Sequence, residues 1–479
     1  MSSTTNSPTH HTSTIGAIGA PSRRNTELML LVFAVVIPVF AYANVGLAIN
    51  DEVPTGLLGY GLGLGLLAGV GHLAVRKFAA YADPLMLPVA TLLNGLGLVL
   101  IWRLDQSERL QQLAKRAFGV FTESAPKQLL FSAVGLALFV AVLFFLKDHR
   151  ILQRYTYVSM AASLVLLLLP LVPGLGDNSF GAKIWIRIPG VGTIQPGEFA
   201  KIIIAIFFSG YLMVKRDALA LASRRFMGLY LPRGRDLGPI ITIWAVSLLI
   251  LVFENDLGTS LLFFGMFVIM LYVATERTSW IVIGLLMSAV GAVTVASFAS
   301  HVQARVDAWL DPFGCYATSG ACEQVGQSIM AFGSGGVIGT GLGQGNSDLI
   351  GFAANSDFIF STVGEELGLA GVMAFLLLYG LIIERGVRTA LAARDPFGKL
   401  FAVGLSGAFA LQIFVVAGGV MGLIPLTGMT MPFLAAGGSS VIANWALIGI
   451  LIRISDTARR PAPAPASNPD AEMTQVVRP

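Results

Sequence analysis

Glu198 and Lys201 stand three residues apart at the start of an apolar run, just after Gln195-Pro196-Gly197. A carboxylate and a cation at this spacing share one helix face, as a helix-start ion pair or as the wall of a polar cavity opening outward. Asp256 precedes Leu257-Gly258-Thr259, where it reads as a helix cap. Asp357 lies between Ser356 and Phe358-Ile359-Phe360, and an N-cap would account for it too. Glu365 and Glu366 follow about two turns deeper in an otherwise apolar helix, where two adjacent carboxylates have no packing rationale and point to a buried water-filled site. Ionisable groups at membrane depth are costly, so each is a functional candidate. Together with Lys183, Arg187 and Arg305 they form a set suited to an anionic, lipid-anchored substrate.

The elements that must hold these groups are transmembrane helices. Charged residues make up 12% of the 479, against roughly 25% in ordinary soluble proteins, while 55% are hydrophobic. That balance excludes a soluble globule and a disordered chain. Crossing ~30 Å of hydrocarbon takes about 20 apolar residues. Twelve runs qualify: 27–49, 54–75, 83–103, 128–146, 153–172, 197–214, 238–254, 257–275, 279–300, 358–383, 400–421 and 432–452. Glu254-Asn255-Asp256 divides the long stretch 238–275 into a tight outward hairpin. With the N-terminus inside, 22 of the 31 Lys and Arg fall on the inner side, so both termini are expected in the cytoplasm. The net charge of +4 then belongs to a membrane-facing surface and needs no nucleic-acid partner. The fold class is all-α, a polytopic bundle of about 12 spans. Segments 1–26 and 456–479, rich in Ser, Thr and Pro, read as disordered cytoplasmic ends. The first span reads as a retained helix, since it lacks a small-residue cleavage site.

Gly59, Gly61, Gly63, Gly65 and Gly69 read as packing devices for close helix approach. The glycine-dense run 333–345 lacks Gly-Lys-Ser/Thr, so it is expected to be a turning segment near a substrate rather than a nucleotide loop. Cys315 and Cys322, the two cysteines, share the large outer loop 301–356; a disulfide is expected there and a metal role is not, since no histidine cluster accompanies them.

Five blocks carry a resemblance to a known family. They are Gly181-Ala182-Lys183-Ile184-Trp185 with Gln195-Pro196-Gly197-Glu198 and Lys201; Asp256-Leu257-Gly258-Thr259; Gln327-Ser328 with Gly333-Ser334-Gly335-Gly336 and Gly341-Leu342-Gly343; Ser356-Asp357-Phe358-Ile359-Phe360 with Gly364-Glu365-Glu366-Leu367-Gly368; and Gly422-Leu423-Ile424-Pro425-Leu426-Thr427-Gly428 with Pro432-Phe433 and Gly437-Gly438-Ser439-Ser440. In this order, over about 270 residues, they resemble the signatures of the SEDS family (shape, elongation, division and sporulation proteins), of RodA and FtsW type. The chain departs from the family pattern at Gly197, at Asn355 and Ser356 where His and Thr are usual, and at Ala436 in place of Tyr. The family core has ten spans, so 27–82 is expected to hold two additional helices before a core at 83–455.

The resemblance implies a multi-pass protein of the bacterial cytoplasmic membrane, a peptidoglycan glycosyltransferase that polymerises lipid II at the outer face. It also implies a class B penicillin-binding transpeptidase as partner, among other cell-wall synthesis and division proteins. The family's essential Asp carries over to Asp357, expected to be the general base of an inverting transfer with undecaprenyl diphosphate as leaving group. Lys183, Lys201 and Arg305 are expected to stabilise that diphosphate, with Mg or Mn as a further source of positive charge. No tightly bound cofactor is expected. The matched motifs add Trp185, Arg187, Glu198, Asp256 and Glu366 to the substrate site. Gln327, Ser328, Thr427, Ser439 and Ser440 complete it. The short tail after 455 points to elongation rather than division. Two other classes compete: a lipid II flippase, which many spans and midplane charges would also suit, and a non-catalytic scaffold for the transpeptidase.

Overall fold

The computed structural model describes residues 23–177, 183–188, 192–220, 224–226, 229–231, 238–254, 256–317 and 319–461. Fifteen α-helices follow one another among them. The first seven are α1 (Arg24–Asn50), α2 (Leu57–Phe78), α3 (Met86–Asp105), α4 (Glu108–Phe118), α5 (Ser124–Phe145), α6 (Thr156–Leu168) and α7 (Pro196–Ala220). Next come α8 (Gly238–Glu254), α9 (Leu257–Thr275), α10 (Ser279–Ala296), α11 (Ser300–Leu310) and α12 (Gly320–Gly335). The last three are α13 (Ile359–Ala392), α14 (Pro396–Val420) and α15 (Gly438–Arg459). Among the described residues eleven helical segments are long and apolar enough to cross a membrane; the twelfth expected span is α8, with 17 residues. Inner and outer below name the ends of the bundle by the charge reading above.

α3, α14 and α15 are buried along most of their length and form the centre, while α1, α2, α5, α6 and α10 expose apolar faces at the rim. Lipid tails are as apolar as the side chains they replace, so close packing rather than hydrophobic burial joins these helices. Glycines supply it: Gly135 on α5 faces Trp445 and Ile442 of α15, and Gly95 on α3 lies beneath Pro38 of α1 and Leu64 of α2.

Several features depart from the sequence reading. The ends expected to be disordered lie mostly outside the described residues, but α1 starts at Arg24 and α15 runs through Arg459. Both are held by polar contacts: Arg24 pairs with Glu27 and donates to the Ala82 carbonyl, Glu27 is hydrogen-bonded to His72 at 2.8 Å, and Arg459 pairs with Asp83 at 2.6 Å. A small antiparallel sheet, β1 (Gly176–Asp177), β2 (Trp185–Ile188) and β3 (Gly192–Ile194), lies between α6 and α7 in the order β1-β2-β3. A second pair, β4 (Arg224–Phe226) and β5 (Leu229–Leu231), joins α7 to α8. α4 was not anticipated. Ser107 caps it by accepting from the Leu110 amide, Gly119 ends it, and Leu110 and Ala114 face the protein.

The outer loop 301–356 contains α11, α12 and two 3-10 turns, Ser347–Ile350 and Phe352–Asn355. α12 leads to a turn, 336–341, that meets a break in α13. Gly368 has φ 63° and ψ −165°, a conformation open essentially to glycine alone. The turn supplies the hydrogen bonds lost there. The amides of Thr340 and Gly341 donate to the carbonyls of Glu365 and Glu366 at 2.9 and 3.0 Å, and those of Leu369 and Ala370 donate to Gly336 and Val337 at 2.9 and 3.0 Å. At 1.5 Å rise per residue, the break lies ~14 Å along α13 from its outer end. Val337 and Ile338, at the tip, are 68% and 85% exposed and continue the apolar stripe of Leu369, Met373 and Leu377. The loop is therefore re-entrant.

Candidate active site

Three segments converge at the outer end of the bundle. α11 carries Arg305, whose guanidinium donates to the Leu426 carbonyl at 3.1 Å. The segment after α14 carries Thr427 and Gly428, and the residues before α13 carry Asp357. Gly428 lies between the two charges: a Cβ there would be 3.4 Å from Arg305 Nη2 and 3.8 Å from Asp357 Oδ2. A side chain at this position would fill the space the charges face.

The N-terminus of α9 closes the fourth side. Asp256 caps it, accepting from the Thr259 amide at 3.0 Å and from the Thr259 hydroxyl. Gly258 lets that turn pass against Thr427 and Met429. Burial pushes the Asp357 carboxyl up to about 6; Arg305 opposes the rise, Asp256 adds to it, and a hydrogen bond from Ser356 opposes it. Burial also raises Asp256, against hydrogen bonds from Thr259 and the charge of Arg305. A half-buried carboxyl with a raised pKa beside a fixed cation has the makings of a proton acceptor next to an anion site.

Glu254, which the sequence reading did not single out, lines a narrow cleft with Gln195, Gly197, Asp256 and Thr259. A second cavity, of about 300 Å³, lies beneath α4; Phe118, Phe121, Lys127, Phe352 and Asn355 line it. Asn355 also ties this wall together, donating to Ser124 Oγ at 3.2 Å and accepting from the Ala436 amide at 2.8 Å.

The other expected site residues are dispersed. Lys183 is exposed and its amide donates to the Glu254 carbonyl at 3.2 Å. Trp185 is half-buried at the start of β2, and exposed Arg187 pairs with Asp177 at 2.7 Å. Gly181 and Ala182 of the same motif lie outside the described residues. Gln327 bonds the Tyr316 hydroxyl, beside the Cys315–Cys322 disulfide, which is formed with Cα atoms 5.7 Å apart. Ser328 joins three helices through Ser361 Oγ and the Val420 carbonyl, both at 2.6 Å. Ser439 Oγ accepts from the Gln195 amide at 2.9 Å, and Ser440 Oγ from Asn444 at 3.2 Å. Among the described residues no group of three or more His, Cys, Asp or Glu side chains is placed to hold a metal ion.

Two expectations need correction. Lys201 does not open outward; of the two readings the ion pair with Glu198 holds, at 2.6 Å, and Lys201 is 2% exposed and also donates to Gln412 and Asn444 at 2.9 and 3.1 Å. The polar start of α7 faces α14 and α15, and sequence alone could not show which way it turns. Glu365 and Glu366 do have a packing rationale. Glu366 pairs with Arg103 at 2.5 Å and accepts from the Gly343 amide at 2.8 Å, while Glu365 accepts from the Asn346 amide at 2.9 Å. They anchor the re-entrant loop rather than line a water-filled site.

Residues 83–460 match the family described as cell cycle protein, that of FtsW, RodA and SpoVE. The chain belongs to this family. It is 49% identical over 443 residues to the peptidoglycan glycosyltransferase RodA of Mycobacterium tuberculosis, with 92% of each chain covered. To the probable peptidoglycan glycosyltransferase FtsW of Geobacter metallireducens it is 35% identical over 309 residues, 64% of this chain and 79% of that one. Among solved structures, the rod shape determining protein RodA of Thermus thermophilus aligns with a TM-score of 0.52 and 23% identity, covering 78% of this chain and 96% of that one. A chain from a peptidoglycan synthase complex aligns at 0.53 and 23%, covering 84% and 98%. Membership of the FtsW/RodA/SpoVE family and eleven membrane-crossing helices make this a multi-pass protein of the cytoplasmic membrane. α1 and α2 lie before the matched region.

Proposed function

We propose that this peptidoglycan glycosyltransferase polymerises lipid II at the outer face of the membrane, with Asp357 as general base and Arg305 as the cation that receives the leaving diphosphate. The observation that supports it most directly is the pair of opposite charges held across Gly428. The hydroxyl of the acceptor sugar attacks the anomeric carbon of the donor. As that bond forms, Asp357 takes the hydroxyl proton; as the anomeric carbon–oxygen bond breaks, its electron pair leaves on the diphosphate. Arg305 stabilises the charge that develops there. One displacement inverts the anomeric centre and needs no enzyme nucleophile. Lys201, saturated by three partners, has a structural role in this reading. A Mg²⁺ or Mn²⁺ ion bound beside Asp256 would supply further positive charge to the leaving group, leaving Asp357 free to take the proton.

A class B transpeptidase partner would cross-link the product strand, in elongation or division. The cavity beneath α4 combines aromatic and polar walls two residues from Asp357 and suits a sugar ring of the substrate. The test is polymerisation of labelled lipid II by the purified protein with its transpeptidase partner. Asp357→Asn should lose on the order of 10²–10⁴-fold in rate while melting like the parent. Full activity in that variant would refute the assignment.

One observation favours a flippase: α13 is broken at Gly368, as helices at transporter sites are. Here, however, backbone of the re-entrant turn occupies the break. Lipid translocation in liposomes without glycan product would reverse the choice.

A further inference from the structure

The helix pair α1–α2 precedes the family match, yet it reaches the catalytic loop. At its inner end Glu27 of α1 is joined to His72 of α2 at 2.8 Å, and the pair is tied to the core by Arg453 of α15, which donates to the Phe78 carbonyl at 2.6 Å. Midway, the Tyr60 hydroxyl donates to the Gly95 carbonyl at 2.7 Å. Near the outer end Tyr42 packs on Trp102, with ring centres 4.4 Å apart.

The last turn of α1 then meets the outer loop. Leu342 packs into a cluster with Ala41, Tyr42, Val45 and Val99. A Cβ on Gly343 would lie 3.2 Å from Ala48 Cβ, 3.3 Å from Ile49 and 3.4 Å from the Val45 carbonyl. The other side of the same turn is pinned by Glu366 at the Gly343 amide, by Arg103 at the Gly345 carbonyl and by Glu365 at the Asn346 amide. From Asn346 the chain runs through two 3-10 turns, with Ser107 Oγ donating to Asp348 at 2.8 Å, and arrives at Asp357.

We propose that α1 is a positioning element for the reaction: its outer turn, Val45–Ile49, seats the Leu342–Gly343 turn and thereby fixes where the loop delivers Asp357 against Arg305. The inference rests on the glycosyl-transfer reading. The turn is held between α1 and two carboxylates, so a displacement on the α1 side is passed into the loop, one arm of which runs to Asp357. Ala48 is exposed on its other flank, so enlarging it presses on the turn without overfilling the core.

The test compares Ala48→Leu, Ile49→Ala and the double variant Ala48→Leu/Leu342→Ala in the lipid II polymerisation assay, with lipid-facing Phe40→Ala as control. Misplacing a reacting group by about 1 Å costs on the order of 10²-fold. Ala48→Leu and Ile49→Ala are each expected to lower kcat by roughly ten-fold or more with KM little changed, and to move the acid limb of the pH profile. Trimming Leu342 should restore much of the rate to Ala48→Leu. Phe40→Ala should behave as the parent. A purely structural role would lower the melting temperature and leave kcat per folded molecule and the pH limb unmoved; that result, or absence of rescue, overturns the proposal. Failure of the glycosyl-transfer reading would look different: the parent protein itself would form no glycan product, and activity persisting in Asp357→Asn would remove Asp357 as the base.

Discussion

Replacing Arg305 with Gln should move the pH dependence of the reaction by an amount the site geometry sets. Arg305 Nη2 and Asp357 Oδ2 lie 3.4 and 3.8 Å from the same point above Gly428, so the charges are at most about 7 Å apart, and at an effective dielectric of ~20 they attract by on the order of 2 kcal/mol. At ~1.4 kcal/mol per pKa unit this is roughly 1.5 units, and partial access of water to half-buried Asp357 reduces it to about one. The direction follows from the proton acceptor's charge. Asp357 must be ionised to act, so activity appears as pH rises through its pKa of about 6. Without the guanidinium, burial and the neighbouring Asp256 act unopposed by it, and the acid limb of kcat/KM moves up, to near 7. Arg305→Lys should hold the limb close to its original place. The assay is the initial rate of labelled lipid II polymerisation from about pH 4.5 to 9 with the transpeptidase partner present. Loss of the diphosphate contact lowers the whole curve but does not move its midpoint. A midpoint that stays put, or falls, in Arg305→Gln would refute the electrostatic coupling.

Other substitutions test the supporting structure. Lys201→Met leaves Glu198 buried without its cation and should cost about 3–5 kcal/mol of stability, most of it regained in Glu198→Gln/Lys201→Met; a KM effect with an unchanged melting curve would instead return Lys201 to the substrate site. Gly368→Ala forces a non-glycine residue into a glycine-only conformation and drives a Cβ into the Gly339 backbone, so a loss of roughly 3 kcal/mol is expected in thermal melts; a variant that melts with the parent would mean that the turn and helix do not meet as described. Replacing Cys315 and Cys322 together with Ser removes a link between residues seven apart, for roughly 2 kcal/mol by loop-closure entropy. Limited proteolysis should then cut the 311–321 segment sooner, and an unchanged cleavage rate would contradict this.

The spans were legible because apolar runs of about 20 residues have few alternatives to a membrane helix. The caps and the disulfide were legible for similarly local reasons: Asp256 before Leu257-Gly258-Thr259 does cap α9, and Cys315 does bond Cys322. Asp357 and Arg305, 52 positions apart in the chain, were singled out by charge in apolar surroundings and by motif; their meeting over Gly428 was not visible, because it depends on how three separate segments pack. Lys201 and Glu366 show the limit most clearly. Sequence marks both as charges too deep to be idle, but whether such a group faces a cavity or another buried polar group depends on helix rotation about its axis. Arg103 carried no signal beyond being a cation at a helix end, although it is the partner that makes Glu366 affordable at that depth. α4 was missed because its apolar face is narrow, even though Ser107 and Gly119 bracket it with ordinary start and stop residues.

The break in α13 also bears on how the molecule is made. Residues 336–341 leave the ribosome before Gly368, and their backbone is the partner of the Glu365 and Glu366 carbonyls and the Leu369 and Ala370 amides on either side of that glycine. Hydrocarbon offers them none. α13 therefore cannot settle into the bilayer as a finished rod and receive its neighbour later. The glycine-rich turn must enter with it, as a paired insertion in which each strand of backbone satisfies the other. Outer loop and eighth core helix are thus a single unit of biogenesis, and a lesion in either should be recognised by the cell's membrane quality control as a failure of both.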